Sequence, residues 1–307
     1  MSWHDNAIFY QALVGSYKDT RGEGVGTLRG VIEKLDYLKW LGVDCLWLSP
    51  FYASPLRDDG YDIADYYAIH PDYGTMEDFD ELVDELHARG MRLMTDLAFN
   101  HTSTDHLWFQ ASRTDPEGPY GDYYVWGDDP LRYPEIRIIF TDTETSNWAW
   151  DPERKQYYFH RFYSHQPDLN YDNPKVHEEI FKILSFWLDK GVDAFRLDAI
   201  AYLYERDGLG GESLPETVDF VEKIRAFLEE NYPEAVILAE ANQPRKTPWS
   251  STARAIASIW CSTSRSCRGC IRRSRWAMPR RSTTSWPSCP SYPRAASGEP
   301  SCATTTS

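Results

Sequence analysis

The sequence predicts an α/β protein of the (β/α)8 TIM-barrel class, with an inserted domain after the third strand and a barrel cut short after about the fifth. Three observations carry this. Apolar, strand-like runs alternate with amphipathic helical stretches through the first 243 residues, the pattern of a parallel sheet with covering helices. Three of those runs, Leu93-Met-Thr-Asp96, Phe195-Arg-Leu-Asp198 and Leu238-Ala-Glu240, end on an acid and then break into a loop. Barrel strands present functional groups at their C-terminal ends in this way. Strand–helix repeats also build doubly wound sheets, but no glycine-rich phosphate loop follows the first strand here, which counts against that alternative.

In chain order, Ile8–Val14 reads as the first strand. Residues 28–41 read as one helix, with Leu28, Val31, Ile32, Leu35, Leu38 and Leu41 on one face and Gly42 as its stop. Cys45–Leu48 is the second strand. Met76–Arg89 is a helix with Phe79, Leu82, Val83 and Leu86 on one stripe, closed by Gly90. Met91–Leu97 is the third strand, Lys175–Lys190 a helix closed by Gly191, Ala194–Leu197 the fourth strand, Thr217–Asn231 a helix and Val236–Ala239 the fifth strand. Residues 1–100 and 174–243 thus read as a partial barrel. The connection over residues 101–173 is too long for an ordinary βα loop and is rich in rings, among them Trp108, Phe109, Tyr124, Trp126, Trp148 and Phe159. It reads as a small inserted domain over the barrel mouth rather than as disorder.

No apolar run reaches the roughly 18 residues that a membrane span needs, and Met1-Ser-Trp-His-Asp-Asn6 lacks the basic start and apolar stretch of a secretory signal. A cytoplasmic location is expected. The net charge of -15 argues against nucleic acid, whose phosphates call for a basic surface. The aromatic content of 15% fits either a large core or a cleft lined with rings that stack on sugars. The charge is not evenly spread. From Pro244 onward, 64 residues hold ten Arg, one Lys, a single acid (Glu299), fourteen Ser and five of the six Cys. The first 243 residues therefore carry 21 basic against 46 acidic side chains. A basic disordered arm, a disulfide or metal module, and translation out of frame compete as readings of this tail. Cys261, Cys267, Cys270, Cys289 and Cys302 are odd in number and lack paired spacing with His. The third reading is preferred.

The chemistry rests on two acids at successive strand ends. Arg196, two residues before Asp198, points to the same side of its strand and is expected to hold that carboxylate ionised, as a nucleophile requires. Glu240 follows the apolar run Val236-Ile-Leu-Ala239, which suits a carboxyl of raised pKa acting as acid and then base. Two carboxyls so placed equip a protein for glycosidic-bond chemistry.

These segments make the chain resemble the α-amylase superfamily of glycoside hydrolases and transglycosylases. Asp96-Leu-Ala-Phe-Asn-His101, Phe195-Arg-Leu-Asp198 and Leu238-Ala-Glu240 look like its first three signatures, and Gln166-Pro-Asp-Leu-Asn170 like the additional segment of the oligo-1,6-glucosidase-like branch. Within that branch, residues 36–48, Pro50-Phe-Tyr-Ala-Ser-Pro-Leu-Arg57, residues 199–205 and Ala239-Glu-Ala-Asn-Gln243 are most similar to trehalose synthases, which interconvert maltose and trehalose. The resemblance covers residues 1–243. It implies Asp198 as nucleophile, Glu240 as general acid/base, and Arg196 steadying Asp198. It implies His101 and Asp58 on the hydroxyls of the bound glucose, Tyr61 stacked on its ring, and Phe162 and Gln166 lining the same pocket. Asp96 is implied as a supporting residue. A structural Ca2+ is implied between the inserted domain and the barrel, on Asn100 and Asp168 with Tyr202, Leu203 and Glu205; a plain hydrogen-bonded interface is the alternative. No organic cofactor is implied, and the partners are small sugars, with neither nucleic acid nor membrane. Asp19-Thr-Arg-Gly-Glu-Gly24 stands where related glucosidases hold a cation, but Arg21 and Glu23 depart from that motif, so a turn held by local side-chain bonds is expected.

The family's fourth signature, Arg-Asn-His-Asp-Glu, is absent. The codons of Glu299-Pro-Ser-Cys-Ala-Thr-Thr-Thr-Ser307, read from the last base of each, permit it, so a frame lost just after Gln243 is expected. A barrel stopped after five strands leaves open edges, and the chain as written is expected to be poorly soluble and inactive. Three functions compete for the parent protein: isomerisation of maltose to trehalose, hydrolysis as an α-glucosidase, and a non-catalytic barrel that serves as a binding partner.

Overall fold

The computed structural model describes residues 3–240. The basic tail, and with it the frame-loss reading, lies outside the described residues. Ten strands and seven α-helices run in chain order among those described. They are β1 Phe9–Ala12, α1 Val14–Tyr17, α2 Leu28–Ile32, α3 Leu35–Leu41, β2 Cys45–Leu48, β3 Tyr52–Ala53, β4 Asp65–Ile69, α4 Met76–Ala88 and β5 Arg92–Ala98. There follow α5 Leu107–Thr114, β6 Trp126–Gly127, β7 Trp148–Asp151, β8 Gln156–Phe159, α6 Pro174–Asp189, β9 Ala194–Asp198, a 3-10 turn at Ile200–Tyr202, α7 Pro215–Asn231 and β10 Val236–Ala239.

The five expected strands form one sheet in the order β1-β2-β5-β9-β10, with every pairing parallel. Closure of this sheet into a ring is not seen among the described residues, so the architecture is the first five strands of a barrel-type fold. Side chains alternate across the sheet. The outer face packs on the helices around Leu46, Leu48, Leu93, Leu97, Phe195, Leu197 and Ile237. The other face gathers Cys45, Trp47, Met94, Ala194 and Val236 into a second apolar cluster.

The helices follow their local chemistry. Thr75 and Asp78 form a reciprocal capping box that starts α4, the Thr75 hydroxyl accepting from the Asp78 N–H and the Asp78 carboxylate from the Thr75 N–H. Pro174 opens α6 behind the Asn173 cap. Gly42 ends α3 in the left-handed region, at φ 88°.

The single helix expected over residues 28–41 is two, α2 and α3. The Lys34 N–H bonds to Val31 O, one residue short of the helical repeat, and this tight step lets Leu28, Val31, Leu35 and Leu38 all stay fully buried. Leu41, expected on that face, is instead 47% exposed. The short antiparallel ribbon β3–β4 had no sequence signal of its own; it carries the loop between residues 54 and 64. Residues 101–173 do form a distinct structure, α5 with a three-stranded sheet β6-β8-β7. Hydrogen bonds from the Leu169 N–H to Asn100 O and from Tyr171 Oη to Phe99 O join it to the residues that follow β5, and the bridges His101–Asp168 and Tyr124–Leu169 lie within it.

Candidate active site

Strand register brings the acids together. Asp96 on β5 lies beside Arg196 on β9, and Ala98 beside Asp198; Leu238 on β10 lies on the other side of Arg196. Glu240 follows one alternation later, its N–H bonded to Leu197 O. The Arg196 guanidinium then meets three carboxyls at once. Nη1 donates to Asp96 (2.7 Å) and to Asp198 (2.5 Å), and Nη2 pairs with Glu240 (2.8 Å). Its plane lies between two rings, with the centroids of Trp47 and Tyr61 each 5.8 Å from Cζ. Asp96 is completely buried, and its second oxygen accepts from Tyr61 Oη (3.1 Å) and Trp47 Nε1 (3.2 Å). A cleft of about 150 Å³ opens here, lined by Gln11, Trp47, Tyr61, Arg196, Leu238, Ala239 and Glu240.

Three carboxyls on one guanidinium carry more negative charge than it can neutralise, and burial with mutual repulsion raises Asp96 and Asp198. Burial pushes the Asp96 carboxyl up to about 6, against the pull of Arg196 and the Tyr61 and Trp47 hydrogen bonds. Burial also raises Asp198 well above the ordinary carboxylate range; Arg196 pulls it down, while Asp96 and Glu240 push it up again. The expectation that Arg196 holds Asp198 ionised is corrected by this sharing, since one cation divided among three acids does not outweigh burial. Asp198 and Glu240 thus meet the same guanidinium through different nitrogens, Nη1 and Nη2. Directly after Asp198, Ala199 takes a left-handed φ of 52°, a conformation that costs a non-glycine residue energy and marks the strand end.

The remaining expected sugar-binding residues gather around the loop between β3 and β4. Asp58 accepts from Gln166 Nε2 at 2.8 Å, which joins that loop to the inserted region, and burial raises the Asp58 carboxyl. His101 is buried and its ring lies 5.1 Å from that of Phe162. Burial lowers its pKa to about 3, so it is neutral, and its Nε2 has no hydrogen-bond partner. Two residues the sequence reading passed over organise the site. Trp47 looked like one more apolar strand residue. Asp62, fully buried, accepts from Ser54 Oγ and the N–H groups of Arg57 and Asp58 (2.9–3.2 Å) and so sets the loop that presents Asp58.

Among the candidate cation ligands, Asn100 lies beside the Asp168 segment, its carbonyl accepting from the Leu169 N–H, and Asp168 acts on Glu205. Asn100 Oδ1 and Asp168 Oδ2 are buried without hydrogen-bond partners. Burial raises Asp168 to about 7 and Glu205 well above its ordinary value, with Asp168 raising Glu205 further. Tyr202 and Leu203 lie on the chain between Asp198 and Glu205. Orphaned oxygens beside two buried acids suit a hard cation. Among the described residues no group of three or more His, Cys, Asp or Glu could hold a metal; this set has two acids and depends on amide and carbonyl oxygens. At the other loop, Asp19 accepts from the N–H groups of Arg21, Gly22 and Gly24 (2.7–2.8 Å), the locally bonded turn that was expected. No helix among the described residues is long and apolar enough to cross a membrane.

Comparison with known proteins agrees with this arrangement. The chain is 59% identical over 242 residues to a trehalose synthase/amylase of Mycolicibacterium smegmatis, covering 79% of this chain and 41% of that relative. It is 46% identical over 212 residues to an oligo-1,6-glucosidase of Bacillus cereus, covering 67% of this chain and 37% of the relative. The structure matches the trehalulose synthase MutB of Pseudomonas mesoacidophila MX-45 with a TM-score of 0.71 at 42% identity, over 76% of this chain and 44% of that one. The chain therefore spans less than half the length of these relatives. With the α-amylase catalytic domain matched over residues 11–260, the chain belongs to the α-amylase family.

Proposed function

We propose that the parent protein isomerises maltose to trehalose by retaining α-glucosyl transfer. The observation that carries this is the Asp198–Arg196–Glu240 cluster at neighbouring strand ends beside the cleft. Asp198 attacks the anomeric carbon of the bound glucose as the glycosidic C–O bond breaks. Glu240 gives its proton to the departing oxygen. Both carboxyls contact the Arg196 guanidinium, and the reaction requires the proton on Glu240 and Asp198 ionised for the attack. In the second step the anomeric hydroxyl of the released glucose attacks the glucosyl–Asp198 ester from the face it left. Its proton returns to Glu240, and the 1,1-linked product forms. Asp58, Gln166 and His101 hold the glucose hydroxyls, while Phe162 and Tyr61 present rings to it.

Water in place of the released glucose gives hydrolysis, and the likeness to an oligo-1,6-glucosidase supports that second reading. Incubation with maltose separates the two, since trehalose accumulates in the first and glucose alone in the second. Asp198→Asn and Glu240→Gln are each expected to lower kcat by about 10²- to 10⁴-fold, and unchanged turnover in either would sink both readings.

Asn100, Asp168, Glu205 and the carbonyls of Tyr202 and Leu203 would hold a structural Ca2+, which would neutralise the two buried acids and fasten the inserted region to the barrel. The basic tail from Pro244 is read as translation in a shifted frame.

A further inference from the structure

Register divides the inward face of the sheet into levels. Trp47, Met94, Ala194 and Val236 lie side by side on one level, and Asp96 and Arg196 on the next level toward the strand ends. Trp47 belongs to the apolar level but reaches the ionic one. Its indole N–H donates to Asp96 Oδ2 at 3.2 Å, and its ring lies 5.8 Å from the Arg196 guanidinium carbon. It also lines the cleft and is only 8% exposed. A Phe or Leu there would be apolar but smaller, and would donate nothing.

We propose that Trp47 is a positioning residue for the acid pair, holding Asp96 as a carboxylate that anchors Arg196 beneath Asp198 and Glu240. The inference rests on the glycosidic reading of those two acids and extends it one level down the sheet. The indole stabilises the charged form of Asp96 by a hydrogen bond to a buried carboxylate. An ionised Asp96 in turn raises the proton affinity of Asp198 by like-charge repulsion, and its bond to Nη1 fixes the guanidinium whose Nη1 also reaches Asp198 and whose Nη2 reaches Glu240. The groups that face Asp96 are Arg196 from β9, Trp47 from β2 and Tyr61 from the loop after β3. Asp198 and Glu240 lie beyond the shared guanidinium.

The signature is a pair of opposite shifts. In Trp47→Phe, Asp96 loses a donor and is expected to titrate higher by about half a unit to one unit. Asp198 loses part of a neighbouring negative charge and is expected to titrate lower. A change that merely loosens the packing would hydrate both acids and lower both values. The experiment is a carboxyl-carbon NMR titration of the full chain, with the two resonances identified from Asp96→Asn and Asp198→Asn. Shifts in the same direction, or none, overturn the inference. A second measurement does not depend on the variant folding. In the unsubstituted chain one indole N–H resonance should move with the Asp96 titration, and its absence would equally overturn the inference. Turnover of a nitrophenyl α-glucoside by the frame-restored parent protein, with the same titrations made in it, separates this inference from the functional reading. Opposite shifts without turnover support the role of Trp47 and count against the reaction; turnover with parallel shifts does the reverse.

Discussion

Arg196 makes contact with Asp96, Asp198 and Glu240 through two nitrogens, a geometry that a planar guanidinium allows and a lysine ammonium does not. Its removal leaves three carboxyls without their common partner. Arg196→Met is expected to cost about 3–5 kcal/mol at neutral pH, the usual penalty for breaking a buried ion pair from one side, as measured by denaturant unfolding. The cost should shrink on acidification, because raised Asp96 and Asp198 take up protons before ordinary carboxylates do. The sign for the intact protein follows the same logic. Asp96 moves from an ordinary 3.8 to about 6 on folding, so the folded state binds the extra proton and this group's contribution falls as pH rises across that interval. Asp198, Glu240 and Arg196 were legible in the sequence because each lies at or near the acidic end of an apolar run. Trp47 and Asp62 were not, because a tryptophan inside an apolar run and an aspartate in a polar loop have no distinguishing local context.

At the level of elements, the barrel strands and most of their helices were legible because hydrophobic period and stop glycines agree locally. What holds one element to the next was not. Asp193, just before β9, accepts from the Leu93 N–H, from Arg92 Nη1 and from His87 Nε2 (2.5–2.9 Å), which fastens α4 and β5 to β9. Burial alone would raise Asp193, but His87, the Leu93 N–H and Arg92 bring it below its ordinary value. The Asp193 hydrogen bond raises the His87 pKa, against the opposing effect of burial. The histidine contribution is therefore complete below the ordinary value of about 6.5 and is lost as pH rises through the raised folded value. The aspartate contribution is present above about 3.9 and is lost as pH falls through its lowered folded value. His87→Gln is expected to lower Tm in the interval between, with the difference closing at alkaline pH; a gap that persists there would remove the ion pair as its cause. Gly191 shows a steric form of the same fastening. It sits at φ +92°, where an added Cβ would lie 2.6 Å from Val83 Cγ1 on α4, so Gly191→Ala is expected to cost about 1–3 kcal/mol, read from the unfolding midpoint.

For the molecule as a whole, the inserted region matters because its Gln166 bonds to Asp58 and its Asp168 belongs to the proposed cation set. Asn100 leaves β5, Asp168 comes from the inserted region and Glu205 follows β9, so a cation there would join three separate parts of the chain. Calcium is expected to raise Tm, by about 2.7 kcal/mol of stabilisation at one hundred times its dissociation constant, and a chelator to reverse this. Asp168→Asn should abolish the calcium-dependent shift, and an unchanged shift would place the ion elsewhere. The chain spans 41% of its trehalose synthase/amylase relative. Sequencing the coding DNA beyond codon 243 tests the shifted-frame reading of the tail: an open, acid-rich second frame supports it, and stop codons there would not.

By itself the sequence determined the alternation of strands and helices, the acids at strand ends, the insertion and the family, because each is written in a contiguous stretch whose period and terminal residues can be read locally. Only the tertiary structure decided which acids share one guanidinium. Asp96, Asp198, Glu240 and Arg196 come from three strands up to 144 residues apart in sequence, and the strength of each acid depends on burial and on neighbours brought in by strand register. The same holds for Asp58 with Gln166 and for Asn100 with Asp168, pairings made by packing the inserted region against the barrel. Local pattern encodes what a segment becomes, whereas electrostatics depends on distances between segments, and those exist only once the sheet has assembled.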